Sequence, residues 1–257
     1  MSVDIANTEI VSIPLETYTG DQDLFLESIQ EGLSNNKMAI YVDCQQLQSI
    51  SSSHVSLLWK AMQLCKENDT EFILKNVRDL VLDVLVTLDL QDIFVVEQQD
   101  KGKDEFLETD KFSYIAIEPL ELKFSLTVEN IVRQKYAVGS HLDQALISKQ
   151  IIFEIQTIFY EAVTNIRLHS DMNSQTPIEF YLSQMNDNII MQFTDTGKEF
   201  DPTQHEQVYS SKKAIKERMK NGFGIMMMKK MSDKVSYKRV NNKNVLTITK
   251  SWSKCNG

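Results

Sequence analysis

Cysteine, proline and glycine are scarce in this sequence, and no long apolar run is present. With 8 Gly and 4 Pro in 257 residues, the chain lacks the turn content of an all-β fold and the composition of a long disordered tail. Its cysteines, Cys44, Cys65 and Cys255, have no metal-ligand spacing, so we expect free thiols in a reducing cytoplasm. No apolar stretch approaches the roughly 20 residues that a membrane span needs. The N-terminus, MSVDIANTEI, lacks the basic and apolar regions of a signal peptide.

Positive charge is also in deficit. The chain has 27 Lys and Arg against 36 Asp and Glu, which gives a formal net charge of -9. Such a surface repels the phosphates of nucleic acids and of anionic membranes, so neither is expected as a partner. Apolar residues make up 42% and charged residues 25% of the chain, as in a soluble globular protein with one large or two small domains.

The order of the predicted elements divides the chain in two. A charge-dense stretch, EQQDKGKDEFLETDK, predicts a linker at 99–119 between domains at 1–98 and 120–257. Before the linker, strand-like and helix-like segments alternate, which predicts an α/β fold with helices covering a sheet. After it, a strand and two long helices at about 127–147 and 149–168 precede two strand pairs and a helix, which predicts an α+β sandwich.

Three motifs in the second domain carry functional groups. EAVTN at 161–165 lies in a predicted helix, DTGKEFDP at 195–202 follows a strand, and NGFGIMMMKKM at 221–231 opens a helix with two glycines. Glu161, Asn165 and His169 are spaced four apart, so they share one face of the helix, and we expect that face to line a cleft. Taken singly, each motif is typical of a turn, a loop or a solvated helix face.

Together, the three motifs indicate a nucleotide site. Asp195 can accept a hydrogen bond from an amino group such as that of adenine, and Gly197 lets a flat ring approach the backbone. Gly222 and Gly224 leave backbone N–H groups free for phosphate oxygens at a helix N-terminus. Asn165 offers an oxygen ligand suited to Mg²⁺, and Glu161 can take a proton from a nucleophile.

The motifs resemble the N, G1 and G2 boxes of the GHKL ATPases, over about 120–252. YEAVTNIRLHS and FTDTGKEFDP are most similar to the anti-sigma-factor serine kinases of bacterial partner-switching systems. The resemblance implies a Bergerat-type fold that uses ATP and Mg²⁺, with Asn165 at the metal, Glu161 as general base, Asp195 and Gly197 at adenine, and Gly222 and Gly224 at the phosphates. Three features depart from the family: Glu199 replaces a second glycine, Lys243 and Asn244 replace a Gly-Thr pair, and the lid region at 203–221 is not a close match.

The first domain resembles a STAS domain, the fold of anti-sigma-factor antagonists. The resemblance is carried by IYVDCQQLQSISSSHVSLLWKAMQLCKENDTEFILKN and the segment after it. It implies a phosphorylatable serine at the start of a helix, which falls on Ser52, with Ser51 in place of the usual Asp and His54 in place of a small glycine. The alternative is that the serines only cap the helix.

Three functions remain open at this point. The first is an ATP-dependent serine kinase that phosphorylates a STAS-domain serine, its own or a partner's. The second is a non-catalytic ATP-binding or docking module that sequesters a sigma factor or another regulator. The third is a histidine kinase-like enzyme with His141 as phosphoacceptor. The resemblance also implies a homodimer through the ATPase domain.

Overall fold

The chain divides into two compact units, Met1–Glu108 and Thr109–Gly257. The structure, a computed structural model, describes residues 8–12, 21–47, 50–88, 90–91, 93–97, 116–145, 147–204 and 223–252. Most of the predicted linker at 99–119 lies outside these residues, so the predicted domain limits stay a prediction. Each unit is described by itself below.

The first unit is an α/β fold, as predicted. Its four described strands form one parallel sheet in the order β1-β2-β3-β4. The elements are β1 (Thr8–Ser12), α1 (Asp21–Ser34), β2 (Ala39–Asp43), α2 (Ser52–Glu67), β3 (Glu71–Lys75), α3 (Asp79–Thr87) and β4 (Val95–Val96). Ile40 and Val42 on β2 are fully buried, which is typical of the central strands of a parallel sheet.

The second unit is an α+β sandwich, also as predicted. Its five described strands form an antiparallel sheet in the order β5-β6-β7-β9-β8. The elements are β5 (Leu120–Ser125), α4 (Val128–Gln144), α5 (Lys149–His169), β6 (Pro177–Met185), β7 (Asn188–Asp195), α6 (Phe223–Met231), β8 (Lys234–Val240) and β9 (Lys243–Ser251). A short 3₁₀ turn, Pro202–Gln204, follows β7.

Helix α5 is the centre of the second unit, because it packs against α4, α6 and the sheet. Its Phe159 contacts aromatic rings on three strands, with centroid distances of 4.9 Å to Phe180, 5.8 Å to Phe193 and 5.9 Å to Phe124. Such tilted and edge-on pairs add stability beyond the apolar area that they bury. The core therefore fixes α5 over the sheet, and with it the EAVTN motif.

The two cysteines that the structure describes are buried free thiols. Burial, with the Asp43 carboxylate adding to it, raises the pKa of the Cys44 thiol to about 12. Burial raises the pKa of the Cys65 thiol to about 11. Both groups are therefore protonated near neutral pH, and they pack as small apolar side chains. Among the helices that the structure describes, none has the length and apolar character needed to cross a membrane.

Candidate functional site

The polar stripe on α5 begins in the core and ends at the surface. Glu161 is 1% exposed, Asn165 is half-buried and His169 is exposed. Each step of four residues turns a helix by about 40° beyond a full turn, so His169 points roughly 80° away from Glu161. The expectation that all three side chains line one cleft is therefore met only by Asn165, while the His169 ring stacks on Phe200 at 4.6 Å.

A cavity lies where the C-terminal half of α5 meets the end of β7, α6 and the β8–β9 hairpin. Its polar lining consists of Asn165, Ser170, Asp195, Lys198, Tyr237 and Asn244. Its apolar lining consists of Ala162, Ile166, Phe200, Pro202, Met228 and Leu246. The cavity brings together the predicted residues Asn165 and Asp195, which are 30 positions apart in the sequence, and Glu161 is not part of its lining.

Two polar groups in this cavity retain hydrogen-bonding capacity. The Nδ2 atom of Asn165 is buried and has no hydrogen-bond partner among the described residues. Asp195 is 6% exposed, and its Oδ1 accepts hydrogen bonds from Gly197 N at 2.8 Å and from Asn244 Nδ2 at 2.8 Å. Within the same part of the chain, its Oδ2 accepts none. Buried polar groups are normally paired, so these two atoms are candidates for contact with a ligand.

Gly197 is needed here for a reason that differs from the predicted one. A Cβ at this position would clash with the Ser170 side chain and would lie 2.6 Å from the Ser170 carbonyl oxygen. Lys198 N also donates to the Ser170 oxygen at 2.7 Å. The glycine therefore lets the loop after β7 pack against the end of α5, and in this way it fixes the direction of the neighbouring Asp195 side chain.

The β8–β9 hairpin supplies three site residues that the sequence analysis did not identify as functional. The Asn244 side chain also donates to the carbonyl oxygens of Gly197 at 3.3 Å and Lys198 at 3.0 Å. Its Oδ1 accepts from the Tyr237 hydroxyl at 2.7 Å and from Arg239 Nη1 at 2.5 Å. Arg239 Nη1 also donates to the Gly197 carbonyl oxygen at 3.0 Å. Asn244, one of the two residues that depart from the family pattern at 243–244, is therefore part of a connected polar network.

Two pKa shifts describe the electrostatics around the loop after β7. Burial raises the pKa of the Tyr237 hydroxyl, and the Glu199 carboxylate adds to this, whereas Arg239 acts in the opposite direction. Partial burial acts to raise the pKa of Asp201, but hydrogen bonds from the Thr203 hydroxyl and N–H, at 2.6 and 2.8 Å, outweigh it and lower that pKa. Tyr237 therefore stays a neutral donor, and Asp201 stays an ionised cap of the turn that places Pro202 in the cavity.

The phosphate side of the predicted site is described only in part. Gly224 is buried in the first turn of α6. Gly222 and residues 205–221 of the predicted lid at 203–221 lie outside the described residues. The methionines at 226, 227, 228 and 231 are buried in the core of the second unit, and Met228 reaches the cavity.

In the first unit, Ser51 and not Ser52 caps α2. Ser51 Oγ accepts from His54 N at 3.3 Å, and the Ser51 N–H donates to His54 Nδ1 at 3.1 Å, which completes a reciprocal capping box. Ser51 and His54 are buried, whereas Ser52 is half-buried at the first position of the helix. The capping interpretation thus applies to Ser51, and the phosphorylation prediction for Ser52 stays open.

His141 has a structural contact. Its Nε2 lies 2.7 Å from the backbone oxygen of Glu118, so the ring ties the end of α4 to the segment before β5. A carbonyl oxygen only accepts, so Nε2 carries the proton in this contact and Nδ1 keeps its lone pair, and His141 as phosphoacceptor stays a prediction.

Comparison with known families assigns both units. Residues 3–102 match the family model of the STAS domain, and residues 124–250 match that of the histidine kinase-like ATPase domain. The chain therefore consists of a STAS domain followed by a histidine kinase-like ATPase domain, as the sequence motifs indicated. No curated protein matches it.

Similarity to solved structures is low in sequence and concerns the fold alone. The RsbU and RsbW domains of a Mycobacterium tuberculosis protein align over 52% of this chain and 32% of their own, at 14% identity and a TM-score of 0.39. The SiaB–SiaC complex from Pseudomonas aeruginosa aligns over 51% and 88%, at 12% identity and a TM-score of 0.42. The histidine kinase AdeS from Acinetobacter baumannii aligns over 94% and 100%, at 12% identity and a TM-score of 0.34. This chain spans about a third of the first of these structures.

The ATPase fold implies ATP binding, and the residues present fit that ligand. The Oδ2 of Asp195 is an acceptor for an amino group, and the apolar side chains that line the cavity suit a flat ring. The carboxamide of Asn165 lies in the same cavity, with its Nδ2 unpaired among the described residues, and its oxygen is a hard ligand of the kind that Mg²⁺ accepts beside phosphates.

Proposed function

We propose that this chain is an ATP-dependent serine kinase of a bacterial partner-switching pathway, and that its substrate is a serine of a STAS domain, its own or a partner's. The observation that carries the proposal is the cavity of the ATPase domain. There Asn165 Nδ2 is buried without a hydrogen-bond partner in the described part of the chain, and Asp195 accepts the bonds from Gly197 and Asn244 through Oδ1. The proposal places the protein in the cytoplasm and in the regulation of transcription.

The site residues have separate roles in this reaction. Asp195 accepts a hydrogen bond from adenine. The Asn165 oxygen would hold a Mg²⁺ ion, which would supply positive charge beside the phosphates. The serine oxygen forms a bond to the γ-phosphorus while the bond to the bridging oxygen of ADP breaks. The serine proton passes to the Glu161 carboxylate, and the backbone N–H of Gly224, in the first turn of α6, is assigned to the phosphates.

The proposed acceptor is Ser52. It occupies the first position of α2, where a phosphate carrying about -1.5 to -2 charges is tolerated by the helix dipole. Because Ser51 already caps the helix, modification of Ser52 leaves the cap in place. The added charge changes the surface that a partner contacts.

A second candidate function rests on the position of Glu161. This carboxylate is 1% exposed and does not line the cavity, which is unfavourable for a base that has to reach a serine of another domain. The alternative is a non-catalytic ATP-binding or docking module that sequesters a sigma factor or another regulator. Homodimerisation through the ATPase domain is compatible with either function.

The test is intact-mass analysis and phosphosite mapping after incubation of the full chain with Mg-ATP. We expect one phosphate on Ser52, its absence in Ser52→Ala, and its loss in Glu161→Gln. The glutamine has almost the volume of the buried glutamate, so packing and ATP binding should persist while proton transfer is lost.

Asp195→Asn is the control for binding, because it replaces an acceptor oxygen by a donor and should weaken ATP binding by about 10- to 100-fold. Full phosphorylation of the Glu161→Gln chain would exclude Glu161 as the base. A chain that binds ATP but phosphorylates neither itself nor any added STAS domain would identify the second candidate.

A further inference from the structure

Three polar side chains form a row across adjacent strands beside the cavity. Asp195 on β7 pairs in register with Asn244 on β9, and Asn244 pairs with Arg239 on β8. Asn244 is 4% exposed and lies between a carboxylate and a guanidinium. A buried amide in such a position has to satisfy both neighbours, because an unpaired polar group is costly to bury.

The carboxamide of Asn244 satisfies both neighbours, the carboxylate with its amino group and the guanidinium with its oxygen. Its Nδ2 donates to Asp195 Oδ1 at 2.8 Å, and its Oδ1 accepts from Arg239 Nη1 at 2.5 Å and from the Tyr237 hydroxyl at 2.7 Å. The guanidinium is thus bonded to Asn244 and to the Gly197 carbonyl rather than to the carboxylate. One oxygen of Asp195 is held inward, and the other is left for a ligand.

We propose that Asn244 is the positioning residue for base recognition in this site, with Tyr237 and Arg239 orienting its carboxamide. Asn244 fixes the rotation of the Asp195 carboxylate so that Oδ2 meets an exocyclic amino group, and the site then selects a 6-aminopurine over a 6-oxopurine. The oxygen of a 6-oxopurine would face the carboxylate, and neither atom carries a proton to share. The inference rests on the proposed function, since it concerns how that site recognises its nucleotide.

The same geometry places Asn244 between two opposite charges, those of Arg239 and Asp195. A carboxamide donates on one side and accepts on the other, so it separates the charge of Arg239 from the carboxylate that binds the base. An aspartate at 244 has the same shape but no donor, and it would place a second carboxylate against Asp195. Asn244→Asp is therefore a sharp probe, because it changes chemistry and preserves volume.

The experiment compares the dissociation constants of ATP and ITP, which differ in the 6-amino and 6-oxo groups, on the full chain. We expect the unaltered chain to prefer ATP by about 10- to 100-fold, the range for one hydrogen bond to a charged group. Asn244→Asp should reduce this ratio to about threefold or less, since the orientation of Asp195 is lost with the donor. Tyr237→Phe removes one of the two bonds to the Asn244 oxygen and should reduce the ratio by a smaller factor while preserving the fold.

Lys238→Ala is the matched control, because Lys238 is exposed on the same strand and outside the network. Its ATP-to-ITP ratio should equal that of the unaltered chain. If Asn244→Asp and Tyr237→Phe weakened ATP and ITP binding equally, Asn244 would be structural only and the inference would be overturned. Equal affinity of the unaltered chain for ATP and ITP would overturn the inference and leave the proposed function standing. If the unaltered chain bound neither nucleotide, the proposed function would fail, and the inference with it.

Discussion

At the scale of single residues, Gly197 shows how a backbone position controls a functional side chain. The loop after β7 approaches the end of α5 so closely that no Cβ fits between them. The N–H of the same glycine donates to Asp195 Oδ1, and its carbonyl oxygen accepts from Arg239 Nη1 and Asn244 Nδ2. The lack of a side chain at Gly197 and the hydrogen bonds of its N–H and carbonyl oxygen therefore all help to position the Asp195 carboxylate.

This contact predicts the effect of Gly197→Ala. The new methyl group would meet the Ser170 carbonyl oxygen, which is backbone and cannot rotate away, so the loop has to shift. We expect a loss of about 1–3 kcal/mol in the free energy of unfolding, as for overpacking elsewhere, and weaker ATP binding. Urea unfolding and a nucleotide titration of the same preparation measure the two effects.

Gly139→Ala is the comparison for this change. There the added methyl group would meet Gln156 Nε2, which is the end of a flexible side chain. Loss of the Gln156 bond to the Lys135 oxygen is offset by the better helix propensity of alanine, each about 1 kcal/mol. We expect little change in stability and none in ATP affinity. Equal losses in both variants would mean that glycine content, and not the contact with Ser170, sets the result.

At the scale of elements, the turn of the β8–β9 hairpin determines which residues of the two strands lie opposite each other at the site. Asn241 and Asn242 have φ values of 50° and 61°, in the left-handed region that two-residue hairpin turns require. This turn pairs Val240 with Lys243 and therefore Arg239 with Asn244. A shift of one residue would move Asn244 to the other face of the sheet and away from Asp195.

The hairpin also marks the limit of prediction from the sequence. Apolar periodicity in the sequence is enough to predict the described strands β6 to β9 and the helices α4 and α5. The Asn-Asn turn is enough to predict that positions 239 and 244 pair. The contact between Asn244 and Asp195 cannot be predicted in this way, because it depends on β9 pairing with β7, and the two residues are 49 positions apart. Likewise, the spacing of Glu161, Asn165 and His169 predicts a shared face, but the burial of Glu161 depends on how α5 sits over the sheet.

The positive φ of Asn242 predicts that two substitutions at this position differ in their effect. Asn242→Val forces a β-branched residue into a positive φ, and we expect a loss of about 1–3 kcal/mol and a lower preference for ATP over ITP, because the strand register is disturbed. Asn242→Gly permits the same φ without strain and should retain both stability and preference. Denaturant unfolding and nucleotide competition test this pair. An unchanged ATP preference in a destabilised Asn242→Val chain would show that the turn does not control the position of Asn244.

At the scale of the whole molecule, the two units have separate hydrophobic cores and separate sheets. The core of the first unit includes Ile40 on β2 and Leu57 and Leu58 on α2, all of them buried. The core of the second unit is built around Phe159 on α5 and Phe193 on β7. Residues that share one hydrophobic core unfold together, so two cores should give two thermal transitions in the full chain.

Nucleotide binding should act on one of these transitions only. A ligand that binds the folded state at 100 times its dissociation constant adds about 2.7 kcal/mol of stability, which for a domain of about 150 residues raises the midpoint by roughly 5–10 °C. We expect Mg-ATP to raise the transition of the ATPase domain and to leave that of the STAS domain in place. Differential scanning calorimetry of the full chain, with and without Mg-ATP, measures both midpoints.

Two variants assign the shift to the site. Asp195→Asn should remove it, because the carboxylate oxygen that accepts from adenine is lost, whereas Ser52→Ala should keep it, because Ser52 belongs to the other unit. A shift that survived in Asp195→Asn would place nucleotide binding outside the cavity. A single transition that Mg-ATP raises as a whole would mean that the two cores unfold as one cooperative unit, so that the binding energy of ATP in the second domain also stabilises the helix that carries Ser52.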